Sequence, residues 1–262
     1  MYYRRVSAAS ARDHPPGFLT LAGHPVRWRL LRELARSDLR VWELTGRLGE
    51  RQSLVSYHLG LMRGAGLVTA RRSSADRRDT YYSANLDRCG ELLAGAGAAL
   101  HPGLHLAPRP EPSPAPMSAR VLFLCTGNSA RSQMAEALLQ QVTGNRVHAC
   151  SAGSQPTRVH PNAIRVMRSR GIDLTGRRAK HLGQFVDQSF DWVVTVCDRI
   201  REVCPEFPGA AHTAHWSLAD PAESGATAAA TYPAFERTAD ELVARMPFFV
   251  QLLATGGGME VN

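Results

Sequence analysis

Residues 120–132 read RVLFLCTGNSARS, from Arg120 to Ser132. Val121, Leu122, Phe123 and Leu124 form a short apolar run that ends at Cys125, which is the pattern of a buried strand. Thr126, Gly127, Asn128, Ser129 and Ala130 follow as a tight loop of small residues, and Gln133 to Gln141 is helical, with Met134, Leu138 and Leu139 apolar. A strand, a small-residue loop and a helix can turn successive N–H groups inward, making a concavity for a tetrahedral anion. The helix N-terminus adds potential that favours negative charge. Both effects favour a thiolate, so Cys125 is expected to ionise more readily than an ordinary thiol and to act as a nucleophile. Arg131, six positions on, offers a planar fork for two oxyanion oxygens, and the Ser132 hydroxyl is placed to donate to the Cys125 sulfur.

Other segments supply what such a cradle needs for chemistry. His215 to Pro221 reads HWSLADP, and Asp220 before a proline sits in a turn that could lean over the loop as a general acid. Val193 to Val196 is an apolar strand ending at Cys197, and Cys204 lies seven positions later in a polar segment. These two thiols could approach if the segment bends or partly unwinds, which makes them candidates for thiol–disulfide exchange. Zinc is poorly supported, because no second Cys/His pair lies at ligand spacing. Cys150 reads as an ordinary buried strand residue.

Upstream, the chain changes character. Residues 101–119 read HPGLHLAPRPEPSPAPMSA and hold six of the 16 prolines, which marks a linker. The net charge is +8, of which +7 falls on residues 1–100, +1 on residues 101–120 and none on residues 121–262. A basic first hundred residues suits a polyanion as partner. With 262 residues, two domains are expected. No stretch approaches the roughly 18–20 apolar residues of a membrane span, and the polar start, Met1 to Pro16, has no signal-peptide core. These features imply a cytoplasmic chain whose five cysteines stay reduced.

Pro25 begins a helix carrying Val26, Leu30, Leu31 and Leu34 at helical spacing. A short helix starts at Val41, with Leu44 and Leu48 on one face. A third runs from about Gln52 to Arg63, with Leu54, Val55, Leu59 and Met62 expected inward and Gln52, Ser53, Ser56, Tyr57 and His58 outward. Leu67–Arg72 and Thr80–Ala84 alternate as a hairpin around the polar loop Ser73–Asp79. Three short helices and a basic hairpin make a winged helix-turn-helix, in which Arg71, Arg72, Arg77 and Arg78 would meet phosphates or the minor groove.

The run SLVSYHLGLMRGAGLV, followed by RR, a turn and TYYS, resembles the ArsR-type winged-helix repressors over roughly residues 17–100. The resemblance implies operator binding as a homodimer, with the helix around Leu86, Leu92, Leu93 and Leu100 at the dimer contact. Where metal-sensing members carry a Glu-Leu-Cys-Val-Cys pattern, this chain has Asp38-Leu39-Arg40-Val41-Trp42, and neither Arg nor Trp binds a soft metal. Cys89 alone is no ligand set, so the usual sensing site is missing.

From about residue 119 to 253, CTGNSARSQMAE, SAGSQPTRVHPNAI, FDWVVTVCDRIREVCPEFPG and HWSLADPAE resemble the thioredoxin-coupled arsenate reductases, which share the low-molecular-weight protein tyrosine phosphatase fold. The resemblance implies that Cys125 attacks arsenate, Arg131 and the loop amides hold its oxygens, and Asp220 protonates the departing hydroxyl. Cys197 then attacks the Cys125 adduct, and Cys204 takes over Cys197. Thioredoxin or another thiol reductant closes the cycle, with no bound cofactor. Some members bind potassium near the loop through residues matching Asn128, Glu136 and Ser151 and an Asp; Lys180 stands at the Asp position, so no metal is expected. A tyrosine phosphatase would need the same Cys125, Arg131 and Asp220. Such enzymes typically carry Ile-Cys-Arg-Ser-Pro in the loop and aromatic residues after Asp-Pro, where this chain has Ala222-Glu223, and they have no use for Cys197 and Cys204. A third reading makes the second half a non-catalytic arsenic or redox sensor. The expected architecture is a mainly α winged helix at residues 1–100, a linker at 101–118, and at 119–262 an α/β three-layer domain with a central parallel sheet.

Overall fold

Pro25 has no amide hydrogen to leave unpaired, and it opens a helix that His24 caps by accepting from the Val26 amide. The computed structural model describes residues 15–104, 119–203 and 207–254. In the first part, α1 (Gly17–Ala22) and α2 (Pro25–Leu34) precede a short strand, β1 (Leu39–Arg40). Next come α3 (Val41–Leu48), α4 (Gln52–Gly64), the hairpin β2 (Val68–Arg72) and β3 (Thr80–Ala84), and α5 (Leu86–Leu100). The three strands pair antiparallel in the order β1-β3-β2. Leu30, Leu44, Val55, Leu59, Met62 and Leu67 are fully buried and form the centre of this unit's core.

The second part has a core of its own. Its strands β4 (Arg120–Cys125), β5 (His148–Gly153), β6 (Phe190–Thr195) and β7 (Ala210–His215) form a parallel sheet in the order β5-β4-β6-β7. Helices α6 (Arg131–Val142), α7 (Pro161–Arg168), α8 (Asp198–Val203) and α9 (Ala228–Ala254) flank it. Val121 to Leu124 are fully buried, as a central parallel strand requires. Because β4 is central, Cys125 emerges at the carboxyl edge of the sheet, where open α/β sheets place ligand sites.

The two units meet in a polar interface. The Asp38 amide donates to the His215 carbonyl at 2.7 Å, and the His215 amide donates to Ser37 Oγ at 2.9 Å. The Asp38 carboxylate accepts from the Ser217 amide and both terminal nitrogens of Arg245. Asp38 is buried, and these donors replace the water it has lost. Residues 105–118 of the linker, and Cys204, lie outside the described residues. Among those described, no helix is long and apolar enough to cross a membrane.

Candidate active site

The loop between β4 and α6 is shaped by where its carbonyls go. The carbonyls of Thr126, Gly127 and Ser129 accept from the amides of Gln155, Thr157 and His160 at 2.8–2.9 Å. With those oxygens tied to the neighbouring segment, the loop amides are free to face the other way. The Asn128 amide points at Cys125 Sγ, 3.1 Å away. Asn128 itself has φ +45°, a left-handed geometry that asparagine tolerates better than most residues. Its side chain fixes that geometry: Nδ2 donates to Ser132 Oγ and Ser151 Oγ, while Oδ1 accepts from the Lys180 amide and Gln133 Nε2. Gly153 lies under the loop, where a Cβ would fall 2.5 Å from the Thr126 carbonyl oxygen and 2.8 Å from the Asn128 nitrogen.

Cys125 is buried, with Ser132 Oγ 2.9 Å from its sulfur. Since Ser132 Oγ already accepts from Asn128, its own proton is free to point at the sulfur. Burial nevertheless pushes the Cys125 thiol above its ordinary value, outweighing the pull of Arg131 and Ser132. This reverses the expectation from the loop's donors, and desolvation is the reason. Arg131 is also buried: one terminal nitrogen donates to the Leu218 carbonyl at 3.1 Å, and the other meets Asp220 Oδ2 at 2.5 Å. Cys125, Arg131 and Asp220 thus line one cavity of about 230 Å³ with Thr126, Gly127, Ser129 and Ala130. Gln155, Thr157 and Arg199 line it as well, and sequence reasoning missed all three. Arg199 was detectable as a cation two positions after Cys197, but Gln155 and Thr157 carried no chemical signal.

Cys197 is buried, with its sulfur 3.2 Å from Thr126 Oγ1, so a second thiol stands beside the first residue of the cradle. Cys150 on β5 is half-buried rather than enclosed. Behind the loop, the Glu136 carboxylate meets Lys180 Nζ at 3.2 Å, Arg177 at 2.9 Å and the Ser151 hydroxyl at 2.5 Å. With two cationic side chains on its one carboxylate, this donor set does not suit a potassium ion.

In the first unit, Gln52, Ser53, Ser56 and Tyr57 lie exposed along α4. His58 does not. It is buried and packs on His24, with ring centroids 4.5 Å apart, while Leu54, expected inward, is at the surface. His58 stands three positions after Val55 and four before Met62, on the buried face. Burial lowers its imidazole below the ordinary value. On the wing, Arg77 and Arg78 are exposed, Arg78 pairs with Asp76 at 2.8 Å, and Arg72 donates to the Arg77 carbonyl. Arg71 turns the other way, onto the second unit, where it meets Asp198 at 2.8 Å.

Residues 120–256 match the family described as low molecular weight phosphotyrosine protein phosphatase, and residues 24–70 match the bacterial regulatory proteins of the arsR family. An arsenate reductase of Halalkalibacterium halodurans is 37% identical over 131 residues, which are 50% of this chain and 94% of that protein. One from Brevibacillus brevis is also 37% identical over 131 residues, covering 50% and 93%. Among solved structures, an arsenate reductase from Archaeoglobus fulgidus is similar at 27% identity and a TM-score of 0.40, covering 50% of this chain and 98% of that one.

Proposed function

Because the chain belongs to the low molecular weight phosphotyrosine protein phosphatase family and carries an arsR-family regulatory domain ahead of that region, we propose that it joins a DNA-binding regulator to an arsenate reductase. The observation that carries the reductase over a phosphatase is the second thiol at the cradle, Cys197 beside Thr126 at 3.2 Å. A phosphatase does not need it. Among the described residues, the cavity around Cys125 is also lined by no aromatic side chain that could grip a phosphotyrosine ring.

In this reading the Cys125 thiolate attacks arsenic, and an S–As bond forms as an As–O bond breaks. Asp220 carries a proton to the departing oxygen, which leaves as water. The loop amides and Arg131 hold the remaining oxygens and stabilise charge that grows during attack. Cys197 then attacks the Cys125 sulfur. The S–As electron pair stays on arsenic, which falls from +5 to +3 and leaves as arsenite, and a Cys125–Cys197 disulfide remains. Cys204 attacks Cys197, freeing Cys125, and thioredoxin or another dithiol reduces the resulting Cys197–Cys204 bond. Phosphate fits the same cradle but cannot accept the electron pair.

For the regulator, the exposed face of α4 and the wing-tip arginines support operator binding. Exposed Leu19, Leu93, Leu100 and Leu104 on and beside α1 and α5 support a homodimer through this unit. The test is steady-state arsenate reduction with thioredoxin and its reductase. Wild type should turn over, while Cys125→Ser and Cys197→Ser should lose at least a thousandfold. Equal hydrolysis of p-nitrophenyl phosphate by wild type and Cys197→Ser, with no arsenate turnover in either, would make the chain a phosphatase.

A further inference from the structure

Asp198 follows Cys197 directly and opens α8, yet the first unit holds much of its carboxylate. Oδ1 accepts from His215 Nε2 at 3.1 Å and Ser217 Oγ at 2.8 Å. Arg71, at the end of the wing strand β2, donates to both oxygens at 3.0 and 2.8 Å, and the Ser74 amide and hydroxyl donate to Oδ2 at 2.7 and 3.0 Å. Arg71 also donates to the Ser217 carbonyl at 2.7 Å. The Asp198 side chain has no exposure at all. The base of the DNA-binding wing is therefore fastened to the residue that directly follows the second cysteine in the chain.

The geometry points to a latch: the wing is held in its DNA-competent pose by Asp198 while Cys197 is a free thiol, and a disulfide formed by Cys197 releases it, so arsenate turnover weakens DNA binding. The arsenate trigger rests on the reductase reading above; the latch itself does not. Three observations carry it. In the fastened state the exposed residues of α4 and the wing tip at Arg77 remain open to solvent, so docking does not block the DNA face. Cys197 is a free thiol with its sulfur 3.2 Å from Thr126 Oγ1, and to form a disulfide that sulfur must move to about 2.05 Å from another. The adjoining Asp198 is held by contacts of 2.7–3.1 Å, and a shift of about an ångström breaks hydrogen bonds of that length. Beneath the latch, the Tyr81 hydroxyl is buried with no hydrogen-bond partner among the described residues, so the closed interface leaves one polar group unsatisfied.

A wing set loose must be ordered again to bind DNA, and that cost weakens the complex. Linkage makes the effect reciprocal: DNA that favours the fastened wing opposes oxidation of Cys197 by the same factor. The ordinary arsenite-binding cysteine pair of the DNA-binding unit is missing, and this arrangement would let the enzyme serve as the sensor. The two thiols give up two electrons and two protons, and arsenic takes the electrons.

The experiment uses the full chain and a duplex selected from a random-sequence pool by the reduced protein. Affinity is measured by fluorescence anisotropy at fixed salt, first reduced, then after stoichiometric arsenate without reductant, with the Cys197 disulfide verified by mass spectrometry. Oxidation should weaken binding at least tenfold. In Arg71→Ala the ratio of the two affinities should fall close to one, with Arg71→Lys between; Ser74→Ala, which removes one donor, serves if Arg71→Ala does not fold. Equal or tighter binding by the verified disulfide form, or a full tenfold ratio in Arg71→Ala, overturns the latch. If arsenate leaves the thiols intact, the reductase reading fails. Diamide, which takes two electrons and two protons from a thiol pair, then forms the disulfide and tests the latch alone.

Discussion

Arg131 Nη2 and Asp220 Oδ2 stand 2.5 Å apart across the mouth of the Cys125 cradle. The guanidinium that would hold an oxyanion is thus committed to the carboxylate that would serve its leaving group. Burial holds the Cys125 thiol above its ordinary value, although Arg131 pulls it down. Removing the carboxylate charge should let Arg131 act more fully on the sulfur. In Asp220→Asn, the pH profile of Cys125 alkylation by iodoacetamide should move to lower pH by about one unit, although arsenate turnover falls. A profile that stays in place would show that Asp220 does not restrain Arg131.

Gly153 should tolerate no side chain. A Cβ there would meet backbone atoms of Thr126 and Asn128 at 2.5 and 2.8 Å, and backbone cannot swing aside as a side-chain tip can. Gly153→Ala should lower stability by about 1–3 kcal/mol and weaken phosphate binding at least tenfold. Urea melts and titration calorimetry read the two effects separately.

Cys89 should be inert. Burial pushes its thiol up to about 11, so at pH 7.5 it is almost wholly protonated. Limited alkylation at that pH, mapped by mass spectrometry, should leave Cys89 unmodified, and labelling should rise only as pH approaches 11.

Asp198 gives a pH dependence of known sign. Burial alone would raise its carboxyl, but His215, Arg71 and the Ser74 amide more than reverse this and hold it well below the ordinary carboxylate range. The unfolded chain then binds that proton more readily than the folded one. The stability Asp198 contributes is complete above about pH 4 and is lost as pH falls from there towards the folded value. Asp198→Asn should lose this part of the acid dependence, so chemical-denaturation curves of the two proteins should differ most at neutral pH and converge in acid. Parallel curves would contradict the assignment.

On the DNA side, Arg77→Ala with Arg78→Ala should reduce the log–log salt slope of operator binding by about 2. His58→Ala should lower thermal stability while leaving that slope unchanged, because the imidazole is inside the fold. A slope that changes with His58 would reopen a direct contact.

Much of the candidate site was legible because its residues are close in sequence. Cys125, the loop and Arg131 lie within seven consecutive residues, and a strand-to-helix turn has few ways to arrange them. The winged helix was legible for the same reason, since helical spacing and a hairpin are short-range patterns. What the sequence hid is long-range. Arg71 and Asp198 are 127 positions apart, and nothing in either segment says which surface the other will meet. The depth of Cys125 was hidden too: neighbouring donors can be read in order along the chain, but burial is set by the whole sheet. Leu54 and His58 exchange their expected sides because apolar residues need not be inside, and the buried face of α4 is fixed by Val55, Leu59 and Met62.

The most direct measurement is a single turnover of reduced Cys204→Ser with excess arsenate, quenched with acid and mapped by mass spectrometry. One arsenite should be released per chain, with a disulfide joining Cys125 to Cys197 and Cys89 and Cys150 still thiols. Release of no arsenite, with Cys125 and Cys197 both recovered as free thiols, would contradict it.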